Sequence, residues 1–209
     1  MSVIILDNFL QMPTMVRNWA ITHQYYTAKQ FTEMHGHHTD WPGKRSKHVV
    51  DLDKEYADNV LGQIATLASS YFGVKDISIR SYFQLTTKDD GDSWIHQDND
   101  TDVAGILYLN PTPPANSGTS LYTCNNLDKW TSFMSDQEGY QTLKTINRLE
   151  NKQLYEELFT ERDIVGNVFN RLIMYNGTEY HKSNDYFGES VTDGRLTQVF
   201  FIKGESETL

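Results

Sequence analysis

Trp94-Ile95-His96-Gln97-Asp98 reads as a short extended segment that closes on a His-x-Asp triplet. On an extended backbone, residues i and i+2 point to one face, so His96 and Asp98 can grip one ion together. Far downstream stands His181, and fourteen positions beyond it Arg195. A second imidazole arriving from a distant strand completes two histidines and one carboxylate on one side of a metal. That donor set leaves coordination positions open and suits non-haem Fe(II). Asp100 shares the face of His96 and Asp98 on the same extended reading, as ligand, supporting acid or solvated acid. The nearer spacing favours Asp98.

Arg195 opens the last strong strand pattern, Gly194-Arg195-Leu196-Thr197-Gln198-Val199-Phe200-Phe201-Ile202, in which Arg195 and Thr197 share a face. A guanidinium fork beside a hydroxyl makes a seat for a carboxylate. Upstream of the triplet, Ile77, Ile79, Phe83 and Leu85 alternate with Ser78, Arg80, Tyr82 and Gln84, the pattern of a two-faced strand. Further strand patterns lie at residues 3–6, 94–98, 103–109, 120–123, 164–169 and 172–175. Asp53 to Phe72 is the clearest helix: Tyr56, Val60, Ile64, Leu67 and Tyr71 recur on one face, and Gly73 is placed to end it. Pro13 to about His23 predicts an earlier helix, and Asp136 to about Arg162 a polar helical insertion. Residues 27–50, with Gly36, Pro42 and Gly43, read as a long loop. Asn176-Gly177 reads as a hairpin turn that delivers Tyr180 and His181. Helices first, then roughly six to eight strands with one helical interruption, predict a mainly β fold with helices (α+β), an antiparallel barrel or sandwich with helices on one face. The expected organisation is a single domain over 1–209, with N-terminal helical support to about residue 75 and a β core over about 76–203.

Hydrophobic residues at 38% and aromatics at 12% suffice for a sizeable core. The formal net charge of −10 repels phosphate backbones, and only Lys44-Arg45-Ser46-Lys47 is locally basic, so no nucleic-acid partner is expected. A lone cysteine, Cys124, excludes an intramolecular disulfide and fits a reducing compartment. No run reaches the roughly 18 apolar residues that span a bilayer, and the first ten residues lack the basic start of a signal peptide. The expected location is the cytoplasm, away from membranes.

Taken in order, His-x-Asp, a distal His and then Arg resemble the Fe(II)/2-oxoglutarate-dependent dioxygenases, and the neighbourhood is similar to their prolyl-4-hydroxylase-like branch. Three stretches carry the likeness: Ile106-Leu107-Tyr108-Leu109-Asn110, Ser117-Gly118-Thr119-Ser120-Leu121-Tyr122, and Asn170-Arg171-Leu172-Ile173-Met174-Tyr175-Asn176 leading to Tyr180-His181. The resemblance implies a double-stranded β-helix (jelly-roll) core. It implies His96, Asp98 and His181 as iron ligands, with Arg195, beside Thr197, as the anchor of the 2-oxoglutarate C5 carboxylate. It also implies Tyr82 as a hydrogen-bond partner of that carboxylate. The cofactors that follow are Fe(II), 2-oxoglutarate as cosubstrate and O2, with ascorbate a candidate reductant. The implied activity is hydroxylation of an unactivated C–H with release of succinate and CO2. A peptidyl (prolyl) or amino-acid side chain is the leading substrate, and a small molecule the near alternative. A non-enzymatic, cupin-like jelly roll binding metal or sugar is the competitor from another class; it has no use for a carboxylate anchor at Arg195.

Glu33, His35, His37, His38 and Asp40 could bind a metal by composition, but a lid or substrate-side loop over residues 31–47 is the stronger reading. Trp41, Arg45, Trp94 and Asp100 are the candidate substrate-facing residues, because an aromatic and basic loop beside the iron suits substrate contact.

Overall fold

The computed structural model describes residues 3–36, 40–91, 93–98, 100–135 and 148–204. Two long strands form its spine. β4 (Ile77–Thr86) and β10 (Arg195–Gly204) pair antiparallel along their full lengths, from Arg195 opposite Thr86 to Gly204 opposite Ile77. Beyond β10 lie β5 (Val103–Tyr108), β8 (Leu172–Asn176) and β1 (Ile4–Leu6); beyond β4 lie β3 (Lys44–His48) and β2 (Tyr26–Thr27). A second sheet of three strands, β7 (Phe159–Val165), β6 (Thr119–Cys124) and β9 (Tyr180–Ser183), completes the core. Every pairing is antiparallel.

The period-two alternation of β10 assigns its two faces. Leu196, Phe200 and Ile202 pack with Ala57, Val60, Ile64 and Ala68 of helix α4 (Lys54–Phe72), while α1 (Pro13–Ala20) adds Trp19. On the opposite face Val199 packs with Ile106, Tyr108, Ile173 and Tyr175, and with Leu121 and Val165 of the small sheet. The whole of β5 is buried because both its faces are covered, and each large apolar side chain so buried contributes about 1.5–3 kcal/mol. The result is a mainly β fold with helices: an antiparallel jelly-roll core, helices on the outer face of the large sheet, and a space between the sheets. Helix α4 is built as its sequence predicts. Asp53 accepts from the Tyr56 amide at 2.9 Å, and Gly73 closes the last turn in the left-handed conformation at φ 72°.

Several expectations are corrected. Residues 27–50 are not a long loop: they hold β2, α2 (Ala28–His35), β3 and α3 (Val49–Leu52). Helix α2 is nucleated by a capping box in which Thr27 and Gln30 satisfy each other's backbone amides. Strand β3, Lys-Arg-Ser-Lys-His, carries no hydrophobic alternation; it is held by pairing with β4 and by the buried Ser46 hydroxyl, which accepts from the Phe83 amide at 3.0 Å. The insertion is helical over α5 (Leu127–Ser135) and α6 (Arg148–Leu158), with the stretch from Asp136 to residue 147 outside the described residues. Its expected end at Arg162 is too late, because Phe159 starts β7 opposite Cys124. That strand stops at Val165, short of the expected Phe169; further on, Asn170 turns the chain at φ 63° and its side-chain amide brackets both backbone groups of Leu10. Residues 94–98 form an isolated bridge rather than a strand. Among the described residues seven strands, β4 to β10, follow helix α4, within the six to eight expected after the helices, and the short β1 to β3 precede it.

Asn176-Gly177 is not a hairpin. β8 belongs to the large sheet and β9 to the small one, so the turn carries the chain across the gap between layers. Gly177 is required there by close approach: a Cβ on it would lie 2.1 Å from the Thr101 carbonyl oxygen. Gly177→Ala is therefore expected to cost about 1–3 kcal/mol of unfolding free energy, read as a lower urea midpoint at unchanged slope.

Candidate metal centre

The small sheet brings His181 to the inner space on β9, opposite Leu121 of β6. The segment bearing His96 is zipped onto it by a reciprocal pair of backbone hydrogen bonds, His96 N–H to His181 O at 3.0 Å and His181 N–H to His96 O at 2.9 Å. Two residues on, the Asp98 amide donates to the Gly177 carbonyl at 2.9 Å, which fixes the third side chain against the same corner. The imidazole Nε2 atoms of His96 and His181 lie 3.8 and 3.6 Å from the two Asp98 carboxylate oxygens. Those separations are too long for hydrogen bonds. With all three donor atoms within 4.8 Å of one another, they suit a shared ion bound at about 2.0–2.2 Å from each donor.

Both rings are oriented alike. Nδ1 of His96 sits 2.9 Å from the Trp94 carbonyl oxygen and Nδ1 of His181 2.9 Å from that of Glu179. Placing the ring proton on each Nδ1 leaves the Nε2 lone pairs aimed at the shared point. Burial, reinforced by the neighbouring His181 and opposed by Asp98, pushes the His96 imidazole down to about 4, so at neutral pH it is an uncharged donor.

Arg195 is almost fully enclosed, at 2% exposure. Its Nε donates to the Ser117 carbonyl at 2.9 Å and an Nη to that of Gly118 at 3.4 Å, with the Tyr108 ring 5.6 Å from the guanidinium carbon. Thr86 faces it directly across β4 and β10, and Thr197 follows it on the same face. Both threonine hydroxyls are buried and have no hydrogen-bond partner. A buried unsatisfied polar group costs about 1–3 kcal/mol, so two of them flanking a guanidinium mark a seat that an acceptor-rich group such as a carboxylate would complete. Tyr175 lies between this seat and the triad. Its ring is 4.9 Å from that of His181, and burial together with Asp98 raises its hydroxyl well above the ordinary tyrosine range while Arg195 opposes.

A cavity of about 600 Å³ opens onto His96, Asp98 and His181, and Trp41, Arg45 and Trp94 line it as well. Two expected participants are elsewhere. Asp100 is exposed and takes φ 58°, so it is not in the extended conformation that would have aligned it with His96. Tyr82 pairs with Val199, four residues along β4 from Thr86, which separates it from Arg195 by about 13 Å of strand. It sits instead among Phe31, His48 and Phe201. His35 closes α2 against Phe31, while His37 and His38 lie outside the described residues. Residues 31–47 are not a single loop, since they include part of α2 and Arg45 belongs to the large sheet, yet Asp40, Trp41, Pro42 and Arg45 do line the cavity. Sequence reasoning missed Thr86, Gln84 and Tyr175; the register of β4 against β10, which would have revealed the first two, is set by pairing and is not written in either strand alone.

Solved structures of 2-oxoglutarate oxygenases and prolyl hydroxylases share this architecture. A prolyl hydroxylase from Trichoplax adhaerens, in complex with a hypoxia inducible factor peptide fragment, superposes with a TM-score of 0.58 at 12% identity, over 97% of this chain and 83% of that one. HygX from Streptomyces hygroscopicus, with nickel and 2-oxoglutarate bound, gives 0.59 at 10% identity over 97% and 82%. A Pseudomonas putida prolyl-4-hydroxylase gives 0.52 at 13% over 98% and 93%. At these identities the likeness is one of fold. No curated protein matches the chain in sequence. The chain belongs to the family described as "Family of unknown function (DUF6445)", whose model matches residues 1–202.

Replacing Asp98 or His181 by Ala is expected to weaken Fe(II) or Co(II) binding by at least about tenfold under anaerobic titration. Asp100→Ala should leave it unchanged; the reverse pattern would reassign the carboxylate.

Proposed function

We propose that the protein is an Fe(II)- and 2-oxoglutarate-dependent dioxygenase that hydroxylates an unactivated C–H bond, organised as one catalytic unit over residues 1–209. The observation that carries this reading is a His-Asp-His triad opening on a cavity, together with a buried arginine flanked by two unsatisfied hydroxyls and linked to the triad through Tyr175. His96, Asp98 and His181 hold the ferrous ion on one side. Arg195 and Thr197, with Thr86, hold the distal carboxylate of 2-oxoglutarate. When bound, the ion and its cosubstrate supply the oxidising chemistry, with succinate and CO2 as co-products and ascorbate as the external reductant.

The remaining work falls to the chain itself. The carbonyls of Trp94 and Glu179 fix the imidazole tautomers, so no proton competes for the metal-facing nitrogens. Tyr175 and Trp94 form part of the cavity wall beside the triad. A non-enzymatic metal- or sugar-binding jelly roll would have no use for the Arg195 seat.

For the substrate, fold neighbours are of two kinds. One is bound to a peptide fragment, and another structure of HygX holds hygromycin B. A peptidyl or amino-acid side chain is the first reading. The cavity volume of about 600 Å³ falls within the range of small-molecule sites and favours a small molecule as the second. The acidic balance argues against nucleic acid, and the single cysteine fits a cytoplasmic setting. Among the described residues no helix is long and apolar enough to cross a membrane.

Succinate formation from 2-oxoglutarate with Fe(II), absent in His181→Ala, tests the reading directly. Arg195→Leu removes a charge-assisted contact of about 1.5–3 kcal/mol, so the apparent 2-oxoglutarate constant should rise at least about tenfold with metal affinity unchanged. An unchanged constant would move the anchor elsewhere.

A further inference from the structure

A different guanidinium, that of Arg45, lines the cavity of the triad. Arg45 of β3 stands opposite Gln84 of β4, which in turn faces Thr197 of β10. The Arg45 backbone is thus two strand spacings, about 10 Å, from the strand that carries Arg195. Arg45, Gln84 and the triad all line the cavity.

The setting of Arg45 is a built one. Its Nε donates to the Gln84 side-chain oxygen at 3.1 Å, and the Gln84 amide nitrogen donates to the Pro42 carbonyl at 3.3 Å, so the Nε edge is held in a fixed direction. Aromatic rings cover the guanidinium from the side: Trp41 at 4.4 Å, Phe201 at 5.0 Å and Tyr82 at 5.8 Å from its central carbon. With its surroundings aromatic and one edge used, the terminal Nη edge is what remains for a partner, and that edge matches a carboxylate in the plane. Burial pushes the group down to about 10, which still leaves it a cation at neutral pH.

Among the described residues no carboxylate lies within ion-pair distance of Arg45; Asp98, the nearest in electrostatic effect, is turned to the two histidines. A desolvated cation without a partner is costly, and in a chain of net charge −10 a partner would have been easy to place.

Resting on the oxygenase reading above, we propose that Arg45 is the substrate-recognition residue of the cavity and that the substrate presents a carboxylate to it. The protein then has two carboxylate seats, Arg195 for the cosubstrate and Arg45, on the cavity wall, for the substrate, with the triad between them in function. The substrate class narrows to small organic acids, free amino acids or acidic termini, and away from the neutral interior of a peptide.

The test uses full-length protein loaded with Co(II) and 2-oxoglutarate. N-acetyl-L-proline, phenylacetate and hexanoate are each titrated against their own carboxamides, following tryptophan fluorescence and ligand-observed NMR. At least one acid should bind about tenfold or more tightly than its amide. Arg45→Gln should abolish that preference, and Arg45→Lys, which keeps charge without the fork, should retain part of it, at melting temperatures that show both variants folded. The 2-oxoglutarate affinity should stay within about twofold of wild type in both variants. A tenfold loss of 2-oxoglutarate affinity in Arg45→Gln would make Arg45 the cosubstrate anchor and overturn the proposal. So would acid preference that survives in Arg45→Gln, or a wild type that prefers none of the acids. Failure of the oxygenase reading has a different signature: no 2-oxoglutarate binding and no succinate from wild type, whatever the acid-amide preference.

Discussion

The reciprocal hydrogen bonds between the backbones of His96 and His181 are the contact on which the rest of the site depends. They join a segment with no strand of its own to the edge of the three-stranded sheet. Once that bridge is made, the two imidazoles are brought to 4.3 Å between centroids, and Asp98 follows because its own amide is tied to Gly177. The corner at Gly177 is equally constrained, since the chain crosses there between sheets with no room for a side chain. Geometry at the triad is therefore set by main-chain bonds, which do not sample rotamers, and only the last torsions are left to the side chains.

Electrostatics in the cavity follow from enclosure. His96 is kept uncharged by desolvation, and Tyr175 is kept protonated by the same cause, so the space around the triad holds neutral donors and few mobile charges. Against that background the two arginines stand out. Arg195 is steadied by two carbonyls and flanked by hydroxyls without partners, whereas Arg45 is steadied by one amide and surrounded by rings. Neither has a carboxylate of its own among the described residues. Arg195 is buried and Arg45 partly so; a fixed cation held in this way is preorganised, because its cost is already met by the fold before any ligand arrives.

Legibility of the fold tracked how local each signal is. Helix α4 was readable because its apolar face, its Asp53 cap and its Gly73 terminator all lie within one stretch. β4 and β10 were readable from alternation. β3 was not, since Lys-Arg-Ser-Lys-His owes its extended form to a neighbour's ladder and to one buried serine. The Asn176-Gly177 pair misled for a related reason: its dipeptide favours a hairpin, and the sheet assignment of the next strand overrode it.

The sequence by itself determined the donor chemistry: which residues could hold a transition metal, which cation could hold a carboxylate, and that alternating strands with one strong amphipathic helix would fold as a mainly β core. Those are properties of residue type and of spacings two to four apart, and they survive any arrangement of the chain. Only the tertiary structure decided which candidates meet. It excluded Asp100 by a backbone turn and Tyr82 by four positions of register, and it brought in Thr86, Gln84 and Tyr175 from strands whose pairing no local pattern encodes. The physical reason is that a β-sheet is held by bonds between segments far apart in sequence, so its register, and every site built across it, exists only once the strands are paired.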